Sequence, residues 1–456
     1  MTSPARVVAL ATLGAVHRGA DLPDAIARSR ARLADERDRA LVAAVVTGVL
    51  RWRAALDHAI AGLVSRPLER LDPEVLDALR LGVFQLQHLT RVPPRAVLND
   101  TVESVRRAGK SSATGLVNAV LRRVASGQAP PLPPRPGGPV TARDDAALDY
   151  LSVSLSHPRW LSARWLERHG FEAAERWATF DNEPAPLTLR VNTLATTTDD
   201  LAAELAAMNV STRRARYAPD ALVVESGQPL GLPLAAGGRF VVQDEASQLV
   251  AHFCAVRPGE RVLDACAAPG GKATALAAAM SDRGTIVASD LRPRRVGLLR
   301  DAVRAAGARS VAIVRADASR QLPFAPVFDC VLIDAPCSGL GTLRRDPEIR
   351  WRRQETDLLE YGARQRRLLD RAAEVVRPGG RLVYATCSSE PDENEDVVEA
   401  FLSARADFAR RPKAVHPWVA TPHEALLTDR GDLQTLPHRH GLEAFYAAML
   451  VRADGW

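Results

Sequence analysis

Two cysteines stand just past the carboxyl ends of apolar runs. Cys337 follows Val331-Leu332-Ile333 in the stretch Asp334-Ala335-Pro336-Cys337-Ser338-Gly339. Cys387 follows Leu382-Val383-Tyr384 in Tyr384-Ala385-Thr386-Cys387-Ser388-Ser389. Short apolar runs that end in Pro, Ser and Gly read as buried strands, and open α/β sheets bind ligands outside the carboxyl ends of their strands. If the two strands are neighbours, both thiols meet in one cleft. A reduced thiol pair beside a cofactor loop suggests covalent catalysis with one of the two as nucleophile. The remaining cysteines are Cys254, Cys266 and Cys330; Cys254 and Cys330 lie inside apolar runs and read as small buried hydrophobes. An odd count with no Cys-x-x-Cys argues against a disulfide framework or a zinc ribbon and fits a reducing cytoplasm.

A candidate cofactor loop precedes them. Val262-Leu263-Asp264-Ala265-Cys266-Ala267-Ala268-Pro269-Gly270-Gly271-Lys272-Ala273-Thr274 reads as a strand, a tight turn and a helix start. A Walker phosphate loop needs Gly, four residues, then Gly-Lys-Ser/Thr; Cys266 and Ala273 break that pattern at both ends, and Gly-x-Gly-x-x-Gly is absent. S-adenosylmethionine carries no pyrophosphate and makes lighter demands: glycines that let the backbone approach, and an acid after the next strand for the ribose hydroxyls. Gly270 and Gly271 meet the first. Asp290, which ends Ile286-Val287-Ala288-Ser289-Asp290, meets the second, and Asp317, after the third strand, is placed to meet the adenine. The cofactor set is therefore read as Cys266, Ala267, Ala268, Pro269, Gly270, Gly271, Lys272, Asp290, Arg295, Asp317 and Asp334. Lys272 stands out because only three of the 60 basic residues are lysine, and a compact ammonium differs in kind from a guanidinium fork.

The elements that must position these residues form a strand–helix alternation from about residue 238. Strands are expected at 261–264, 285–289, 311–314, 330–334 and 381–385, and helices at 272–280, 293–306, 355–376 and 394–404. A last apolar run, Phe445 to Val451, is expected as an antiparallel strand. This is the signature of a doubly wound, mostly parallel α/β sheet, assigned here to residues 238–456. Residues 1–128 read as an all-α domain, with apolar positions three and four apart, as at Leu76, Leu79, Val83 and Leu86. Residues 129–142 read as a linker: 129–139 hold six prolines and two glycines, which no helix survives. Residues 143–237 are expected as a small α+β middle domain.

Residues 1–128 carry 19 Arg and Lys against 12 Asp and Glu, whereas the whole chain is only +6, so the basic surplus sits in the first domain and points to a polyanionic partner. The longest early apolar run, Leu41 to Leu50, falls far short of the ~20 residues of a membrane span, and no membrane association is expected. His416, His423, His438 and His440 have no cysteine among them and read as loop histidines rather than a metal site.

Asp264 to Lys272, Asp334-Ala335-Pro336-Cys337-Ser338-Gly339-x-Gly341, Arg345-x-Pro347-x-Ile349-x-Trp351, Thr386-Cys387-Ser388 and Glu393-Asn394-Glu395 together resemble the RNA 5-methylcytosine methyltransferases of the Sun family. Ser156-His157-Pro158, Arg190-Val191-Asn192 and Gln243-Asp244-Glu245-Ala246-Ser247 match as well. The helices around Leu79-Arg80-Leu81-Gly82-Val83-Phe84-Gln85-Leu86 and Val117-Asn118-Ala119-Val120-Leu121-Arg122-Arg123 resemble the NusB-like RNA-binding domain. One place departs: the family often ends with Asp-Gly-Phe-Phe, where this chain has Glu443-Ala444-Phe445-Tyr446.

The resemblance implies a Rossmann-like methyltransferase domain, S-adenosylmethionine as methyl donor, and RNA as substrate, with 16S rRNA favoured by the NusB-like helices. A monomer is expected, in the cytoplasm that the cysteine usage fits. The resemblance also divides the thiols: Cys387 attacks carbon 6 of cytosine, Cys337 assists release, Asp334 hydrogen-bonds the base, and Lys272 orients Asp334. DNA 5-methylcytosine enzymes use a Pro-Cys cysteine as nucleophile, so Pro336-Cys337 keeps the opposite assignment open. A tRNA substrate is the alternative within the same chemistry, and a non-catalytic RNA-binding or antitermination scaffold is the alternative outside it.

Overall fold

The computed structural model describes residues 4–90, 92–141 and 143–454. Two compact units divide the chain: Met1–Pro184 with Leu343–Arg352, and Ala185–Thr342 with Arg353–Trp456.

The first unit is helical. Helices Pro4–His17, Leu22–Arg30, Glu36–Arg51, Arg53–Ala61, Pro73–His88, Pro94–Arg107 and Thr114–Ala125 bury one core that includes Leu13, Val46, Leu56, Leu79, Val83 and Leu121, with Leu76 and Leu86 against it. Asp35 and Asp72 cap two of these helices by accepting from Arg37 N–H and Glu74 N–H, partners that the first-turn N–H groups otherwise lack. The proline-rich stretch forms no helix or strand over 129–140 but is held to this unit: Ser154 Oγ donates to Pro133 O at 2.6 Å, and His58 Nε2 lies 3.0 Å from Pro131 O. The final position of the expected linker, Ala142, lies outside the described residues.

The unit is completed by a strap from far along the sequence, Leu343–Arg352. Arg350 is wholly buried. Its Nη1 donates to Arg51 O at 3.1 Å, Ser156 O at 2.8 Å and Asn182 Oδ1 at 3.0 Å, and its Nη2 to Asp181 O at 3.3 Å. Trp351 Nε1 donates to Leu50 O at 2.5 Å, and Glu348 Oε1 accepts from Leu22 N–H at 3.2 Å. Burial pushes the Asp181 carboxyl up to about 7 against the pull of Arg350, and it lowers the Arg350 guanidinium to about 10.

The second unit holds two sheets. The smaller is antiparallel, in the order β2-β3-β1-β4, from β1 (Thr188–Val191), β2 (Ser211–Arg214), β3 (Ala221–Ser226) and β4 (Phe240–Val242). The larger contains β5 (Arg261–Asp264), β6 (Thr285–Asp290), β7 (Val311–Arg315), β8 (Phe328–Asp334), β9 (Val376–Thr386), β10 (Phe408–Arg410), β11 (Leu433–Thr435) and β12 (Phe445–Arg452). Its order is β10-β12-β9-β8-β5-β6-β7, with β11 also on β12. Strands β5 to β9 pair in parallel, and β12 pairs antiparallel with β9. Alternate residues serve opposite faces: Cys330, Leu332, Val383 and Ala385 pack with Leu249, Leu276 and Leu299 on one side. Val331, Ile333, Leu382 and Tyr384 pack with Leu368, Leu369 and Val397 on the other. A sheet covered on both faces requires such continuous apolar runs.

Within 143–237, the helices Arg159–His169 and Phe171–Asn182 fall in the first unit and the strands in the second. The small sheet also runs past residue 237, because β4 pairs with β1 through Val191↔Phe240. Arg190 explains its attachment. Its guanidinium is buried and donates to Gln243 Oε1 at 2.7 Å, to Thr274 Oγ1 at 2.6 Å and to Gly271 O. The small sheet thereby grips the start of the helix Gly271–Ala279.

Candidate active site

The register of β8 on β9, with Asp334 opposite Ala385, brings the two cysteine loops side by side. Ala335 N–H continues the ladder to Ala385 O at 2.8 Å, and Gly341 N–H closes onto Cys387 O at 2.9 Å. The Cys337 and Cys387 sulfurs are 3.1 Å apart. The hydrogen bond with Cys387, then burial, then the nearby charge of Cys387 and Glu393 push the Cys337 thiol well above its ordinary range.

Gly341 is the tightest point of this arrangement. Its carbonyl accepts from Ala444 N–H at 2.9 Å, and a Cβ there would stand 1.9 Å from Ala444 O and 2.8 Å from Cys387 O. Both obstacles are backbone atoms. Gly341→Ala is therefore expected to force the Pro-Cys loop off β9 and to cost at least about 2 kcal/mol of stability, as overpacking does, read by thermal unfolding against wild type.

Asp334 ends β8, and Lys272 approaches it from the first turn of Gly271–Ala279. Lys272 Nζ donates to Asp334 Oδ2 at 2.7 Å and to Ser247 Oγ at 3.2 Å, and it lies 5.7 Å from the Phe445 ring centroid. Burial opposes the ammonium charge, but Asp334, Cys387 and Asp264 outweigh it, so the Lys272 pKa is raised. The lysine stays charged beside the thiols. Asp264, fully buried at the end of β5, is pushed up to about 7 by burial and then by Asp334.

A cleft of about 330 Å³ opens where the strand order reverses between β5 and β8. It is lined by Cys266, Asp290, Arg295, Asp317 and Cys337 among others. Arg295 Nη2 donates to Ala268 O at 2.5 Å, and its Nε lies 3.5 Å from Asp290 Oδ2. Ser319 N–H and Oγ donate to Asp317 Oδ1 at 3.0 and 2.6 Å and hold that carboxyl below its usual range. Burial, then Asp264 and Asp334, push the Cys266 thiol up. Ala267, Ala268, Pro269, Gly270, Gly271, Lys272 and Asp334 are not in this lining. Gly270 has φ of 113°, and its Cβ would meet Ala302 Cβ at 2.9 Å and Leu299 Cδ1 at 3.1 Å. Its missing side chain lets the helix Pro293–Ala306 pack against the turn. Sequence reading missed Tyr361, Arg364 and Leu368, which line the cleft from the helix Asp357–Ala373. They sit on an ordinary amphipathic helix with no motif to flag them.

The chemistry of this lining fits S-adenosylmethionine. Asp290 and Asp317, at the ends of two successive strands, offer acceptors to ribose and adenine donors.

Among the described residues no group of three metal-ligating side chains gathers. His416 instead stacks on Phe253, His423 Nε2 lies 2.7 Å from Tyr217 O, and His440 Nδ1 accepts from Leu436 N–H.

Fold and cleft together define an S-adenosylmethionine-dependent methyltransferase. The family described as 16S rRNA methyltransferase RsmB/F matches residues 251–451, the NusB family matches 3–126, and the ferredoxin-like domain of RsmF/B-like methyltransferases matches 157–231. The chain is 32% identical to the probable ribosomal RNA small subunit methyltransferase B of Bacillus subtilis, over 90% of both chains. It is 36% identical to ribosomal RNA small subunit methyltransferase B of Pseudomonas putida, over 92% of this chain and 91% of that one. The crystal structure of PH0851 matches with a TM-score of 0.83 at 25% identity, over 99% of both chains. The chain belongs to the ribosomal RNA small subunit methyltransferase B family. No helix among the described residues is long and apolar enough to cross a membrane.

Proposed function

We propose that the protein forms 5-methylcytosine in 16S rRNA through a covalent adduct between Cys387 and carbon 6 of the target base. The observation that carries this reading is the 3.1 Å approach of Cys337 to Cys387 with the Lys272–Asp334 pair on the neighbouring strand end. Carbon 5 of cytosine is a weak nucleophile. Addition of the Cys387 thiolate to carbon 6 forms an S–C bond and shifts the ring electrons to carbon 5. Asp334 hydrogen-bonds the base and favours protonation of its ring nitrogen, which draws electrons away from carbon 6. Lys272 donates to Asp334 and keeps it aimed. When bound by Asp290, Asp317 and their neighbours, S-adenosylmethionine supplies an electrophilic methyl group for carbon 5. A base then takes the carbon 5 proton, the electrons of that bond restore the C5–C6 double bond and expel the Cys387 thiolate, and Cys337 assists that release.

A thiolate is the reactive form of cysteine, and the raised pKa of Cys337 makes that thiol the poorer nucleophile of the pair. The target base must leave its stack, at a cost of a few kcal/mol. The same reading has the enzyme acting as a monomer in the cytoplasm on RNA held by the basic N-terminal helices. Bisulfite sequencing of total RNA from a deletion strain tests it: one 16S rRNA cytosine is expected to lose its protection. Loss of a tRNA mark with 16S rRNA unchanged overturns the substrate, and unchanged RNA throughout overturns the activity.

A further inference from the structure

We propose that Glu393 is the positioning residue that fixes the spacing of the two thiols. Each cysteine is followed by a serine, Cys337-Ser338 and Cys387-Ser388, and both serines converge on this one carboxylate. Oε2 accepts from Ser388 Oγ at 2.5 Å and from Ser338 Oγ, and the two hydroxyl oxygens are 3.2 Å apart. Oε1 accepts from Ser338 N–H at 2.8 Å and from Gln365 Nε2 at 3.0 Å. Gln365 also donates to Pro336 O at 3.1 Å, and Tyr384 OH donates to Glu393 O at 2.5 Å. Glu393, Gln365 and Ser338 are all wholly buried.

A buried carboxylate is costly unless donors surround it, and this one has four. Charge-assisted hydrogen bonds of this kind are about twice as strong as neutral ones. The clamp thus joins the residue after each thiol to a single rigid point. Consecutive Cα atoms are 3.8 Å apart, so a shift of either serine carries its cysteine along. No donor of the clamp is itself a thiol: Glu393 acts through where it holds Cys337 and Cys387, beside the effect of its charge on Cys337. Its consequence for catalysis rests on the function proposed above.

Disulfide closure measures the spacing directly. In the reduced full-length protein, diamide accepts the two electrons and two protons given up as the thiols join, becoming the hydrazine. Closure is followed by mass mapping of the Cys337–Cys387 peptide pair, on protein shown folded by circular dichroism. Wild type is expected to close rapidly. Glu393→Ala leaves both serines untethered and is expected to close ~10-fold more slowly or worse, since small misplacements cost well-oriented reactions that much. Glu393→Gln retains an acceptor for Ser338 N–H and Gln365, and its amide can donate to the two hydroxyls, so it is expected to close at least as fast as wild type. Closure of Glu393→Ala at the wild-type rate overturns the proposal. Should that variant not fold, the Ser338→Ala/Ser388→Ala double variant tests the same clamp, with slowed closure expected and the wild-type rate again overturning it. Neither RNA nor methyl donor enters the experiment. Absence of an RNA adduct in Cys337→Ala would therefore overturn the proposed function alone.

Discussion

Cys337→Ala protein, incubated with target RNA and methyl donor, is expected to run on a denaturing gel as a covalent protein–RNA complex, while wild type runs free. The variant retains Cys387 and can attack, but its adduct is not resolved. Cys387→Ala is expected to show neither complex nor turnover, with activity down by ~10³-fold or more, because the covalent route is closed. Since the two sulfurs are 3.1 Å apart, the two variants perturb the same few ångströms, and a general loss of local structure would make them behave alike. Complex formation by Cys387→Ala, with none by Cys337→Ala, would reverse the roles and make the Pro-Cys thiol the nucleophile.

The second large effect lies far from the chemistry in sequence type. Arg350→Met is expected to destabilise the N-terminal unit by about 3–5 kcal/mol, the usual loss when one partner of a buried charged network is removed, and to lower its unfolding transition by on the order of 10 °C. Three carbonyls and the Asn182 side chain lose their donor, and the buried Asp181 carboxyl loses the strongest of its cationic neighbours. Arg350→Lys is not expected to rescue, because one ammonium cannot reach partners set out for a planar fork. Scanning calorimetry of the full chain checks this. A shift below about 2 °C would mean that the strap is a passenger.

The strands of the larger sheet were legible as apolar runs: β5 is found where expected, and β6, β8, the half-exposed edge strand β7 and the antiparallel β12 within two residues at their ends. Strand β9 begins at Val376 rather than Arg381 because it continues through Pro378-Gly379-Gly380, with a register shift on β8 between Phe328 and Cys330. Those three residues alone read as a turn. The three-residue strands β4, β10 and β11 carry no period of their own and exist through their partners. The helix expected over 355–376 runs from Asp357 to Ala373, since Val376 already pairs with Phe328. In the site, strand-end residues with distinctive chemistry were readable: Cys337, Cys387, Asp334, Asp290 and Asp317. Gly270 also makes room for the helix Pro293–Ala306, which its place in the turn does not reveal. Glu393 was visible only as part of a matching stretch, because its meaning depends on Ser338, 55 residues away, and Gln365, 28 residues away.

The strap Leu343–Arg352 bears on how the protein is made. Chains emerge from the ribosome amino end first, and domains generally fold as they appear. Here the helical unit cannot finish on that schedule. The acceptors awaiting Arg350 at Arg51, Ser156 and Asp181 are synthesised long before it, and most of the second unit, including β5 to β8, emerges in between. The nascent N-terminal helices must therefore wait half-closed, with their last binding site held open, until translation has passed the Pro-Cys loop.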